Sequence, residues 1–206
     1  MNWYHYPAFI SFLICMASLT YHFSRFVRLG VPKDFSLRKG NPERGIVYSF
    51  SGAMNPFKKE SAYLHLPTYA AGLLYHVGTF ASIALFFLIF FDITPEGWIR
   101  WVLIGLLTSS GLSGIGIFVK RIVVRTLRSL SNPDDFISNL LVTTFQFFTL
   151  GLLVNNASAP FYFLCASFVF LYLPLGKLKH ALYFFAARYH LGFFYGWRGI
   201  WPPVKS

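Results

Sequence analysis

Five long apolar runs restrict the fold of this chain more than any other feature. They lie near 7–26, 67–91, 98–119, 136–154 and 161–183. A helix needs about 20 apolar residues to cross a hydrocarbon layer, and these runs supply them. Backbone in lipid must satisfy its own hydrogen bonds, so only helices and closed barrels cross. Barrel strands leave alternating segments of about ten residues, whereas these runs are continuous. The sequence therefore predicts an all-α polytopic membrane protein with five transmembrane helices. Composition agrees, because 12% of residues are charged against about 25% in soluble domains. Mean hydropathy is +0.53. The 206 residues read as a single membrane domain, 1–206. The first run lacks a basic leader and a small-residue cleavage site, so it reads as a span rather than a signal peptide.

The net charge of +11 follows the spans. One group of cations is Arg25, Arg28, Lys33, Arg38, Lys39, Arg44, Lys58 and Lys59. A second is Lys120, Arg121, Arg125 and Arg128, and a third is Lys177, Lys179, Arg188, Arg198 and Lys205. Five spans put all three groups on one side and leave Arg100 near the other. By the positive-inside rule the N-terminus is outside and the C-terminus cytoplasmic. The basic loop 27–66 and the tail 184–206 are then cytoplasmic, in the inner (cytoplasmic) membrane of a cell. The partner of this charge is the lipid bilayer, not nucleic acid. Helical pattern continues beyond the bilayer length over 61–91 and 160–195. These extensions read either as a platform for a soluble partner or as interfacial amphipathic segments.

Cys15 and Cys165 both sit in apolar runs and read as inert thiols. The histidines carry more chemistry. His5 and His22 mark the two ends of the first span, while His65 and His76 fall on the second and His180 and His190 on the fifth. An ionisable side chain within a span is a functional candidate. The second and fifth helices run antiparallel. His76 lies nine residues beyond Pro67, about 14 Å along a helix, so His76 and His180 can face each other across a planar macrocycle. Two imidazoles on one iron give a low-spin heme suited to electron transfer, because no coordination position stays open. His65 and His190 form a second layer toward the cytoplasm. The ten-residue spacing turns His190 roughly 80° from His180, which weakens that second pair. Small residues near His76 and on the third run (Gly72, Gly78, Gly105, Ser110, Gly114) leave room for a macrocycle or for close helix packing. Lys120 and Arg121 stand at the level expected of propionate partners.

Three stretches carry a family resemblance. They are Leu74-Tyr75-His76-Val77-Gly78, Val119-Lys120-Arg121 followed by Asp134-Asp135-Phe136, and Leu173-Pro174-Leu175-Gly176-Lys177-Leu178-Lys179-His180. In these the chain resembles the gamma subunit of respiratory nitrate reductase and its wider family of membrane cytochromes b. That family includes the membrane cytochromes of the sulfite-reductase-linked complex, of heterodisulfide reductase and of some hydrogenases. The resemblance covers about 63–198 and implies five helices with the N-terminus outside. It also implies heme b ligated by His76 and His180. An outer heme would need ligands near Phe86 and Tyr162, where this chain has no histidine. One heme is therefore expected, with a displaced second heme at His65 and His190 as the alternative.

The resulting expectation is a heme b subunit of a respiratory redox complex. It exchanges electrons between membrane quinone and a cytoplasmic-side iron–sulfur partner of the heterodisulfide-reductase type. The chain has no iron–sulfur cysteine motif, so such clusters belong to another polypeptide. The alternative is a non-redox membrane anchor or assembly subunit of such a complex. A proton-coupled transporter is disfavoured, because none of the seven acids lies deep in a span.

Overall fold

The computed structural model describes residues 2–30, 32–55, 57, 64–155 and 158–203. Lys58, Lys59, Lys205 and the expected helical extension over 61–63 lie outside the described residues. The described residues form helices and no strand: α1 His5–Arg28, α2 Pro42–Phe50, α3 Leu66–Phe90, α4 Gly97–Val123, α5 Arg125–Ser129, α6 Pro133–Val154, α7 Ala159–Tyr172 and α8 His180–Trp197. Four of them (α1, α3, α4 and α6) are long and apolar enough to cross a membrane. The count is five if α7 and α8 form one broken span. Large apolar side chains point away from the protein, among them Ile10, Phe80, Trp101 and Phe168, each more than half exposed. Such a surface is compatible with a multi-pass membrane protein and foreign to a soluble one.

Helix starts have local causes. Asn132 accepts from the Asp135 backbone N–H at 3.0 Å, and the Asp135 carboxylate accepts from the Asn132 N–H at 3.0 Å. This reciprocal box satisfies donors that a helix start leaves open, and Pro133 occupies the first turn, where its missing N–H costs nothing.

Two segments depart from the sequence expectation. The fifth run is not one helix. It stops at Tyr172, and the chain passes through a turn and a single 3₁₀ turn, Lys177–Lys179, before α8 begins. Leu173 keeps helical backbone angles, and Pro174 after it has no N–H to donate to the next helical bond. The Leu175 and Gly176 N–H groups close the turn on the Tyr172 carbonyl at 3.0 and 2.9 Å. The loop 27–66 is also not irregular throughout, because it contains α2. The expected tail is helical to Trp197.

The chain forms two compact units. The first comprises 1–17 and 67–178, the second 18–66 and 179–206. In the first, α3, α4 and α6 meet around Gln146, which is fully buried. Its amide donates to the Tyr75 carbonyl (3.1 Å) and to Thr79 Oγ1 (2.8 Å), and its Oε1 accepts from Ser110 Oγ (2.8 Å). One turn along, Tyr75 Oη meets Thr143 Oγ1 at 3.0 Å and donates to the Asn139 carbonyl at 3.1 Å. Gly78 and Gly114 make room for this seam, since a Cβ at Gly114 would lie 2.5 Å from the Tyr75 ring.

In the second unit α2 packs on α8 through glycine. A Cβ at Gly192 would stand 2.5 Å from the Ile46 Cα, and one at Gly45 would stand 2.5 Å from the Gly196 Cα. The N–H groups of Lys39 and Gly40 both donate to the Trp197 carbonyl, at 2.9 and 3.0 Å. Ser49 Oγ donates to the Arg188 carbonyl (2.7 Å), and Trp197 Nε1 donates to the Ser36 carbonyl (2.8 Å).

Candidate functional site

His76 stands midway along α3, exposed, one residue from the buried Tyr75–Gln146 seam. Its Nδ1 is 2.7 Å from the Gly72 carbonyl oxygen. A carbonyl only accepts, so Nδ1 carries the ring proton and Nε2 carries the lone pair that a metal takes. Metal-bound histidines commonly hold their second nitrogen in this way. Space is open where a Cβ on Gly72 would lie, and likewise at Gly105 and Gly116 on α4.

His180 is the first residue of α8, also exposed, and belongs to the second unit. It follows the turn that Pro174 forces. That turn is fastened in the first unit by a charge cluster. Asp135, 7% exposed, pairs with Arg121 at 2.8 Å and accepts from Lys177. Tyr172 donates to Asp134, which also accepts from Ser138 at 3.2 Å.

The propionate candidates have protein partners. Lys120 donates to Thr68 Oγ1 at 2.6 Å, and Arg121 is committed to Asp135. The second layer is less assembled. His65 lies exposed in the turn before α3 and His190 lies exposed on α8. Both belong to the second unit, yet among the described residues no hydrogen bond or ring contact joins them. No group of three or more His, Cys, Asp or Glu among the described residues could hold a metal. Cys15 and Cys165 are buried and free.

Phe86 and Tyr162, where the family resemblance would put outer heme ligands, sit in a packed aromatic core. Both are almost wholly buried, with their ring centroids 6.4 Å apart. Phe170 meets Phe86 edge-on at 4.8 Å, Phe145 stacks on Tyr162 at 5.7 Å, and Phe163 meets Tyr162 at 5.0 Å. His5 extends this cluster, its ring 4.3 Å from that of Phe163.

Beside His5 the first unit has an open pocket of about 600 Å³ lined by Asn2, Tyr4, His5, Asp92, Glu96 and Arg100, among others. The Arg100 guanidinium donates to the Leu153 carbonyl (2.7 Å), satisfying an open acceptor at the end of α6. Charge patterning flagged Arg100 only as the odd cation out. The acids around it were separated by a turn and gave no sequence signal. No family model, curated protein or solved structure matches this chain.

Proposed function

We propose that this chain is a heme b electron-transfer subunit of a respiratory redox complex in the cytoplasmic membrane. The N-terminus is outside and the three basic regions are inside. His76 and His180 would hold the heme iron. The observation that carries this reading is the His76 ring. Its Nδ1 proton goes to the Gly72 carbonyl, which orients Nε2 as the ligand nitrogen and raises its basicity. A heme held by these two residues would supply one-electron transfer. The protein contributes ligation, a dry surround and proton-handling groups.

The aromatic core around Phe86 and Tyr162 supports the lack of an outer heme, because side chains pack that region; a displaced second heme at His65 and His190 is the alternative. The pocket beside His5 holds Asp92 and Glu96, carboxylates of the kind a membrane quinol needs to receive its protons. Electrons pass between quinone and an iron–sulfur subunit on the basic side. A second reading, a non-redox anchor subunit, is favoured by the partners that Lys120 and Arg121 already have within the protein.

Absorption spectroscopy with a heme count separates the two. The purified protein should give a reduced-minus-oxidised b-type spectrum with one protoheme per chain. His76→Ala and His180→Ala should each remove the low-spin signal, while His65→Ala and His190→Ala should retain it. A folded, colourless preparation with no protoheme removes the electron-transfer reading.

A further inference from the structure

The second unit is far more basic than the first. Residues 18–66 and 179–206 contain 12 of the 18 Lys and Arg and only 3 of the 7 Asp and Glu. Within this unit α8 and the segment after α1 form a groove of about 510 Å³, with Lys33, Asp34, His190, Leu191, Phe193 and Phe194 among its lining residues. Its walls are mostly aromatic and aliphatic, and Lys33 and His190 stand exposed among them. An apolar trough with a cation in its lining is amphipathic in the same sense as a lipid.

We propose that this groove binds one anionic phospholipid from the surrounding leaflet. The headgroup phosphate meets the Lys33 ammonium and the His190 ring, and an acyl chain lies along Leu191 and Phe194. The acid in the groove does not oppose an anion. Asp34 is neutralised by Arg198 at 2.7 Å and accepts from the Ser36 N–H at 2.9 Å. That same guanidinium lies 3.6 Å over the Phe194 ring, so the neutral Asp34–Arg198 pair packs against the groove wall and leaves Lys33 as its net charge. Leu191 and Phe194 are 41% and 43% exposed, an apolar surface that an acyl chain would cover. Inorganic phosphate would meet the cation but leave this wall uncovered. Basic pockets at membrane depth commonly hold anionic headgroups, and each cation near such a surface is worth about 1 kcal/mol. The proposal is independent of a heme at His76 and His180, and it takes the His190 ring that a displaced second heme would use.

The test uses the full-length protein in nanodiscs of mixed phosphatidylglycerol and phosphatidylcholine, with retained lipid counted by native mass spectrometry after detergent exchange. One phosphatidylglycerol per chain should be retained in preference to phosphatidylcholine. Lys33→Gln should lower retention about five-fold, the factor that corresponds to about 1 kcal/mol. Lys39→Gln removes the same charge outside the groove and should leave retention unchanged. Leu191→Trp should fill the trough and displace the lipid with charge unaltered, while circular dichroism checks that the helices persist. Equal retention of the two lipids overturns the proposal. So does equal loss in the two lysine variants, which would indicate a diffuse surface charge. Competition by inorganic phosphate as effective as that by the lipid, or recovery of a neutral quinone in place of phospholipid, would do the same.

Discussion

The two units hold their helices together by opposite means. In the first, α3, α4 and α6 are joined through side chains, with Gln146 at the centre making three hydrogen bonds to two neighbours. In the second, α2 and α8 approach until backbone meets backbone across Gly45, Gly192 and Gly196. The difference follows from what each helix can offer. Three long apolar helices gain nothing from hydrophobic contact in lipid, so polar side chains supply the specific attachment. A nine-residue helix cannot persist alone, and α2 gains its stability by lying directly on the α8 backbone. The glycines of the first seam, Gly78 and Gly114, face side chains that can shift, whereas Gly45, Gly192 and Gly196 of the second face backbone.

The largest expected effect breaks the second seam. Gly192→Leu puts a branched side chain into the Ile46 backbone, which cannot yield as a side-chain end could. Overpacking of this kind costs about 3 kcal/mol or more. Amides of α2 should then exchange roughly a hundred-fold faster by hydrogen–deuterium mass spectrometry, while those of α6 keep their protection. Gly116→Leu, on the open face of α4, should change neither. If α2 protection survives Gly192→Leu, the glycine contact is not what holds it.

A smaller effect is expected in the first seam. Gln146→Leu keeps the volume but takes away the acceptor of Ser110 Oγ and the donor to Thr79 Oγ1, each of which keeps its bond to the Tyr75 carbonyl. Hydrogen bonds between membrane helices are worth about 1–2 kcal/mol at most, with a mean nearer 0.6. Steric-trapping measurements should therefore show a loss of about 1–2 kcal/mol. Thr108→Val, whose hydroxyl bonds only to Ile104 of its own helix, should be near neutral. An equal loss in both variants would mean that helix-internal bonds, not the seam, carry the energy.

These seams differ also in how far the sequence reveals them. Apolar length is a local property, and α1, α3, α4 and α6 fall within a few residues of the expected runs. The Asn132-Pro133-Asp134-Asp135 cap was readable for the same reason, since all its partners lie within one turn. The break at Pro174 was signalled by Leu-Pro-Leu-Gly but hidden inside a run whose apolar content said helix. α2 begins with Asn41-Pro42, a proper start signal, yet nine residues of weak pattern do not commit to a helix. What fixes it is a seam with glycines about 150 positions away. In the site, His76 and its Gly72 acceptor are one helical turn apart and so implicit in the sequence. The pairing of Arg121 with Asp135 and of Lys120 with Thr68 depends on how three helices assemble, and residue counting places these cations only at a level, not at a partner.

The smallest effect concerns the edge of the second unit and depends on pH. Asp34 lies in the connection after α1 and accepts from the Ser36 backbone N–H, the main reason its carboxyl is held below the usual carboxylate range. The Arg198 guanidinium at 2.7 Å adds to this. A depressed folded-state value means that the ionised form is favoured by folding. Its contribution is thus complete above the ordinary carboxylate value of about 3.9 and is lost as pH falls through the lowered one. Asp34→Asn should remove that component, so the variant loses some stability at neutral pH and declines less steeply in acid. Because Arg198 also lies over Phe194, the substitution frees the guanidinium without removing it. The readout is hydrogen–deuterium exchange at the C-terminal end of α8, measured after equilibration between pH 3 and pH 7 and quenched at a common pH. Parallel pH profiles in wild type and variant would show that the Asp34 pair is a surface contact with no part in fastening the chain to α8. A flattened acid limb confined to the second unit would show that its glycine seam is closed at one end by charge.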